Sequence, residues 1–310
     1  MRGRIGAMVV ACAACHGPQS ELELRHLSAL ETPTRGLVLA EGGDMARAGM
    51  YETTCDVDSE TASPGADYDA RGEDDTVVAG GTSPSRGLVS VVWAGGALHV
   101  NTPDDTGGGR GLVLDGFVGA GFRGRGLVEV HGTGTECTAT WRDLDLAIED
   151  SVSLPSSTCQ GGPVANSGHG LDVFVATRED ITVADPGGST PFGAGADLLA
   201  WDDTAQVLYA ANRGESWVQG WEHDGTLRWE VTLGGGVRGL DDLGARGAAA
   251  VTLDTTDGGA FVVLDGQTGA VLEDLDTPSA AESVVASANG ETVALVLETE
   301  VHFYALEDAE

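Results

Sequence analysis

The group of residues with the most specific chemistry lies at the amino terminus, where Cys12-Ala13-Ala14-Cys15-His16 spells C-x-x-C-H. Two thiols at that spacing, followed at once by an imidazole, attach c-type haem through two thioethers and give its iron an axial ligand. The context points elsewhere. Met1-Arg2-Gly3-Arg4 is basic, and Ile5 to Ala14 is a run of apolar or small residues, the make-up of a secretory signal that is too short to span a bilayer. A haem domain needs an exported helical segment around the motif and a distal ligand after it. Here the motif falls inside the export signal, so that cleavage removes or modifies its cysteines.

Val9-Val10-Ala11-Cys12 resembles the lipobox at which bacterial lipoproteins are cleaved and acylated. The resemblance implies a lipid on Cys12, or on Cys15, whose longer preceding apolar run suits a signal better; both sites stay open. It also implies that residues 1–20 act as signal and tether for a mature domain over 21–310, held at the membrane on the periplasmic side or at the cell surface. One acyl chain binds a membrane marginally, whereas the three of a mature lipoprotein hold firmly. Cys55, Cys137 and Cys159 then remain in an oxidising compartment, where thiols pair. Cys137 and Cys159 are near in sequence and can join one repeat to the next, leaving Cys55 free, although spacing alone does not settle connectivity.

The remaining chemistry-bearing residues form no catalytic pattern. There is no Gly-x-Ser-x-Gly, His-Glu-x-x-His, Walker loop or dinucleotide-type glycine fingerprint. His26, His99, His131, His169, His223 and His302 are scattered along the chain, and no metal is assigned to them. The carboxylate pairs Asp74-Asp75, Asp104-Asp105, Asp202-Asp203 and Asp241-Asp242, and Asp56 with Asp58, offer calcium several oxygen ligands. Most of them read instead as turn residues, and no EF-hand loop is present. The net charge of −33, with no lysine among the 16 basic residues, repels a phosphate backbone and excludes nucleic acid as a partner. Cationic proteins, divalent ions and a salty medium are compatible with it.

The elements that position these residues are short strands. The chain has 47 glycines and 10 prolines among 310 residues and little helical periodicity, while 41% hydrophobic residues suffice for a core. From residue 197 a unit of about forty residues recurs. Its strands are Asp197 to Asp202, Gln206 to Ala211, Ser216 to Glu222 and Thr226 to Leu233. Asp224-Gly225, Asp257-Gly258 and Asn289-Gly290 mark hairpins, because these residues tolerate the positive φ of tight turns.

Gly225-Thr226-Leu227-Arg228-Trp229 and Asp265-Gly266-Gln267-Thr268-Gly269 resemble the repeats of quinoprotein-type (PQQ-like, WD40-like) propellers, which close each blade with Asp-x-x-Thr-Gly and a tryptophan four positions later. Only Trp229 occupies that place; the second copy has Glu273. The likeness concerns architecture and does not imply the quinone.

The expectation is therefore an all-β protein: a β-propeller, with seven blades of four strands preferred over six or eight, over 31–82, 83–119, 120–157, 158–196, 197–236, 237–280 and 281–310. Glu21 to Leu27 would close the last blade, hiding a sheet edge. Asp56 to Asp75 reads as an exposed acidic insertion. The expected function is a non-enzymatic, monomeric envelope scaffold that binds a protein or envelope ligand without cofactor. The alternatives are a propeller lyase or hydrolase, or a haem carrier using Cys12, Cys15 and His16. Trp217 and Trp221 mark the preferred binding surface, since tryptophan is enriched at interaction hot spots.

Overall fold

The computed structural model describes residues 22–31, 37–39, 45–48, 53–56, 61–64, 76–102, 110–122, 124–133, 135–167, 171–277, 279–298 and 300–308. These residues form strands and two short 3-10 turns, Ser156–Gln160 and Gly244–Arg246. The strands make seven four-stranded antiparallel sheets. Six are meanders over 37–64, 76–113, 117–154, 164–194, 198–232 and 236–277. The last takes three strands from 283–308 and its outermost from Leu22–Glu31.

The first strand of each sheet lies beside the first strand of the next, and Ser283–Ala286 lies beside Leu37–Leu39. The sheets thus close a ring, and the molecule is a β-propeller of four-stranded blades. Closure is by the two chain ends: Leu22–Glu31 pairs antiparallel with Glu300–Asp308, from Leu22 opposite Asp308 to Glu31 opposite Glu300. The amino-terminal strand expected over 21–27 runs further than its apolar alternation suggested, and it covers a row of backbone groups that would otherwise form an open edge.

Period-two alternation explains how one strand serves two neighbours. In Gly126–Thr133, Leu127 packs with Val89, Val91 and Leu98 of the preceding sheet, while Val128 and Val130 pack with Val173 and Val175 of the following one. A strand second from the axis is covered on both sides, which is why Val207–Ala211 is buried at every position.

Two expectations are corrected. Thr61–Pro64, placed in an exposed insertion over 56–75, is the outer strand of the first sheet and pairs with Thr53–Asp56; residues 57–60 and 65–75 lie outside the described residues. With that fourth place filled, Thr76–Ser83 becomes the innermost strand of the second sheet, so the division at residue 82 falls at its end.

Candidate functional site

On the face of the ring that carries the turns between second and third strands, a cleft of about 400 Å³ opens between the fifth and sixth sheets, lined by Arg213, Gly214, Gly236, Arg238 and Asp254. Its floor is backbone. Gly214 N–H donates to Val237 O and Val237 N–H to Glu215 O, each at 2.8 Å, which ties the 212–216 turn to the inner strand Gly236–Asp242. Gly214 has φ of 81°, and a Cβ on Gly236 would stand 3.0 Å from Gly214 O, so glycine at both places lets the two segments touch. Arg213 Nη1 donates to Arg238 O at 2.5 Å and Glu282 O at 3.0 Å, spanning two blades and the connection to a third. Arg238 Nη2 meets Asp254 Oδ2 at 2.5 Å, and that carboxylate raises the guanidinium's pKa further. Two guanidinium groups over a glycine floor suit a partner's acceptors, carboxylate or backbone carbonyl.

The structure separates Trp217 from Trp221. Trp217 is half-buried at the start of Trp217–Glu222, the end that follows the 212–216 turn. Trp221 lies at the other end, where a Cβ on Gly193 would stand 3.4 Å from its ring and Phe192 lies 6.4 Å away between ring centres. It joins the apolar cluster of Phe174, Ile181, Trp201 and Leu208 between the fourth and fifth sheets, and its buried Nε1 has no hydrogen-bond partner. The two do not form one surface; Trp221 is packing. Trp229 explains the Asp-x-x-Thr-Gly repeat. Its Nε1 donates to Gly266 O at 3.0 Å, and a Cβ on Gly269 would come within 2.7 Å of its ring. The tryptophan of one blade docks on the glycine turn of the next.

The acidic pairs on the opposite face serve the turns. Asp202 Oδ1 accepts from Thr204 N–H (2.8 Å) and Ala205 N–H (2.7 Å), and its Oδ2 accepts from Tyr209 O–H (2.6 Å). Burial raises the Asp202 carboxyl, and burial beside that carboxylate also raises the Tyr209 hydroxyl. Asp241 Oδ2 accepts from Ala286 N–H at 2.9 Å, and Asp242 Oδ1 from Gly244 N–H at 2.9 Å. Burial pushes Asp241 up to about 6, and burial together with the Asp241 charge raises Asp242. Among the described residues no three or more histidine, cysteine or carboxylate side chains gather into a metal-holding group. Asp58, Asp74, Asp75, Asp104, Asp105, His169, Cys12, Cys15 and His16 lie outside the described residues.

No family model and no curated protein matches the chain. A chain of the solved structure described as "Crystal Structure of Mitotic Checkpoint Complex" superposes with a TM-score of 0.68 at 14% identity, over 99% of this chain and 100% of that one. The fold is a WD40-like β-propeller.

One buried charge group, in the third sheet, was missed by sequence reasoning. Glu129 is fully buried in the third sheet, where Arg142 Nε donates to its Oε1 at 3.0 Å and His131 Nδ1 meets its Oε2 at 2.5 Å. Arg142 Nη1 also donates to Leu146 O at 3.0 Å. The hydrogen bond to Glu129 raises the His131 pKa, against the opposing effect of its burial. The available signal was a glutamate inside the apolar run Leu127-Val128-Glu129-Val130. Cys137 and Cys159 form a disulfide. It ties the third sheet to the 3-10 turn Ser156–Gln160 that follows it, instead of joining two blades. Among the described residues no helix is long and apolar enough to cross a membrane.

Proposed function

We propose that the chain is a non-enzymatic scaffold that binds a protein or envelope ligand through the face bearing Arg213, Arg238 and Trp217. It acts as an exported monomer tethered by a lipid on Cys12 or Cys15, in the periplasm or at the cell surface. The observation that carries the binding reading is the cleft: it concentrates two guanidinium groups of a chain with a net charge of −33 over an exposed backbone floor. The turn carboxylates of the opposite face accept backbone N–H groups of the turns and of the adjoining blade. Six complete meanders and a seventh sheet shared by the chain ends support a seven-bladed ring, a rigid platform for such a face. The similar solved structure is by its description a complex of proteins, in keeping with a binding role.

A pull-down of the full-length protein from its own envelope tests the binding face. The parent is expected to retain a defined protein or envelope ligand, and the Arg213→Ala/Arg238→Ala variant to lose it at least about tenfold, the scale of a hot spot. Equal capture by folded parent and variant would remove the cleft from the reading. Mass spectrometry of the mature amino terminus tests the tether: the expected mass is an acylated cysteine at Cys12 or Cys15, and a haem adduct or an unmodified terminus would refute it.

A further inference from the structure

The seam that closes the ring brings together two histidines from the first and last described strands. His26, on Leu22–Glu31, stands opposite Tyr304, and His302, on Glu300–Asp308, stands opposite Ala29. The imidazole ring centres are 5.5 Å apart, inclined at 56°. Tyr304 packs beside both, at 5.3 Å from His26 and 6.4 Å from His302. His26 is exposed, and the His302 side chain keeps 26% of its surface open to solvent.

We propose that His26 and His302 form a two-imidazole site for a borderline divalent transition ion of the zinc, nickel or copper type, with water completing its coordination. Two imidazoles on one tetrahedral ion, each with a metal to nitrogen distance of about 2.1 Å, hold their ring centres about 5 Å apart. The observed separation therefore needs only a small adjustment of the exposed His26. Imidazole is the protein ligand that suits these ions, whereas calcium and magnesium prefer oxygen. Glu300 Oε2 lies 2.8 Å from His302 Nε2. A carboxylate on one ring nitrogen orients the imidazole and raises the basicity of the other, the arrangement that supports metal-bound histidines. The nearest cation in sequence, Arg25, is paired with Glu307 at 2.7 Å, and alternation sends it to the other face of the strand. The net charge of −33 draws cations toward the protein as a whole. An ion bound here joins Leu22–Glu31 to Glu300–Asp308 and fastens the sheet that the two distant parts of the chain share.

The test uses the full-length protein with Ni2+, Zn2+ and Cu2+, and Ca2+ as the ion that reports carboxylate binding. Calorimetry is expected to show one Ni2+ or Zn2+ site whose occupancy raises the melting temperature. His26→Ala and His302→Ala are each expected to weaken it at least about tenfold, and Glu300→Gln by about tenfold, the range for loss of a supporting carboxylate. Weak Ca2+ binding is expected to be the same in all four proteins. Cu2+ bound to the parent should show an electron paramagnetic resonance spectrum with nitrogen coupling, a readout that does not depend on any variant folding. Transition-ion binding that survives both histidine substitutions, or a copper spectrum with oxygen ligation alone, would overturn the proposal.

Discussion

The third blade and the fifth hold to their neighbours by different chemistry. On the third blade, the face that packs on the second contains a buried carboxylate flanked by a guanidinium and an imidazole, and a disulfide secures the turn behind it. The fifth meets its neighbours through aromatic rings, with Trp201 stacked on Phe174 at 5.0 Å on one side and Trp229 docked on Gly266 and Gly269 on the other, while its buried Asp202 accepts N–H groups of its own turn. One blade outline thus tolerates two kinds of interface. One depends on charges that must remain paired; the other depends on area and on short polar bonds made within turns.

The largest effect should come from breaking the charge group. Glu129→Ala leaves the Arg142 guanidinium buried without its partner and is expected to cost about 4 kcal/mol, read as a lower midpoint in denaturant. Exchanging both for apolar residues, Glu129→Leu with Arg142→Met, should recover most of that loss, because the pair itself contributes little once neither charge is buried alone. If the double variant is as unstable as the single one, the group does more than satisfy itself. Next, replacing Cys137 and Cys159 by serine removes a link between residues 22 apart in sequence and should cost about 3 kcal/mol; thermal unfolding with and without reductant measures it. On the fifth blade, Tyr209→Phe deletes one buried hydrogen bond to Asp202 and should cost about 1.5 kcal/mol by the same measurement.

Titration separates the third blade from the inner strand of the sixth, Gly236–Asp242, which packs on the fifth, with smaller expected shifts. The folded Asp241 carboxyl is raised to about 6 from its ordinary 3.8, so its contribution to stability is complete below the ordinary value and is lost as pH rises through about 6. The melting temperature should therefore fall across that interval, and Asp241→Asn should flatten the fall there. His131 is also raised, from 6.5, so its contribution is lost only at pH above that ordinary value. His131→Gln should change the profile in this higher interval and leave the lower one unaltered; melting curves from pH 4 to 9 would show whether the two windows are distinct.

Much of the fold was legible because propeller repeats are local. Asp224-Gly225 and Asn289-Gly290 announce hairpins by residue type, and the four strands between 198 and 232 follow from apolar runs separated by turns such as Asp203-Thr204 and Asp224-Gly225. The first blade was read less well, since Thr61–Pro64 carries no apolar alternation and looks like loop until it is seen paired with Thr53–Asp56. The candidate cleft was not legible. Arg213 and Arg238 sit in unrelated local patterns, and only the packing of one blade's turn on the next blade's inner strand places them together.

By itself the sequence determined the all-β class, the four-stranded unit and the acidity, because hairpin turns, period-two alternation and charge are properties of neighbours along the chain. Tertiary structure decided which residues meet across blades: Trp229 with the turn at Gly266, Trp221 with Gly193, and His26 with His302 across the closing seam. The physical reason is that each such contact joins two segments whose separation in sequence has no bearing on their meeting. Their approach is set by the curvature and closure of the ring, which no local pattern of residues records.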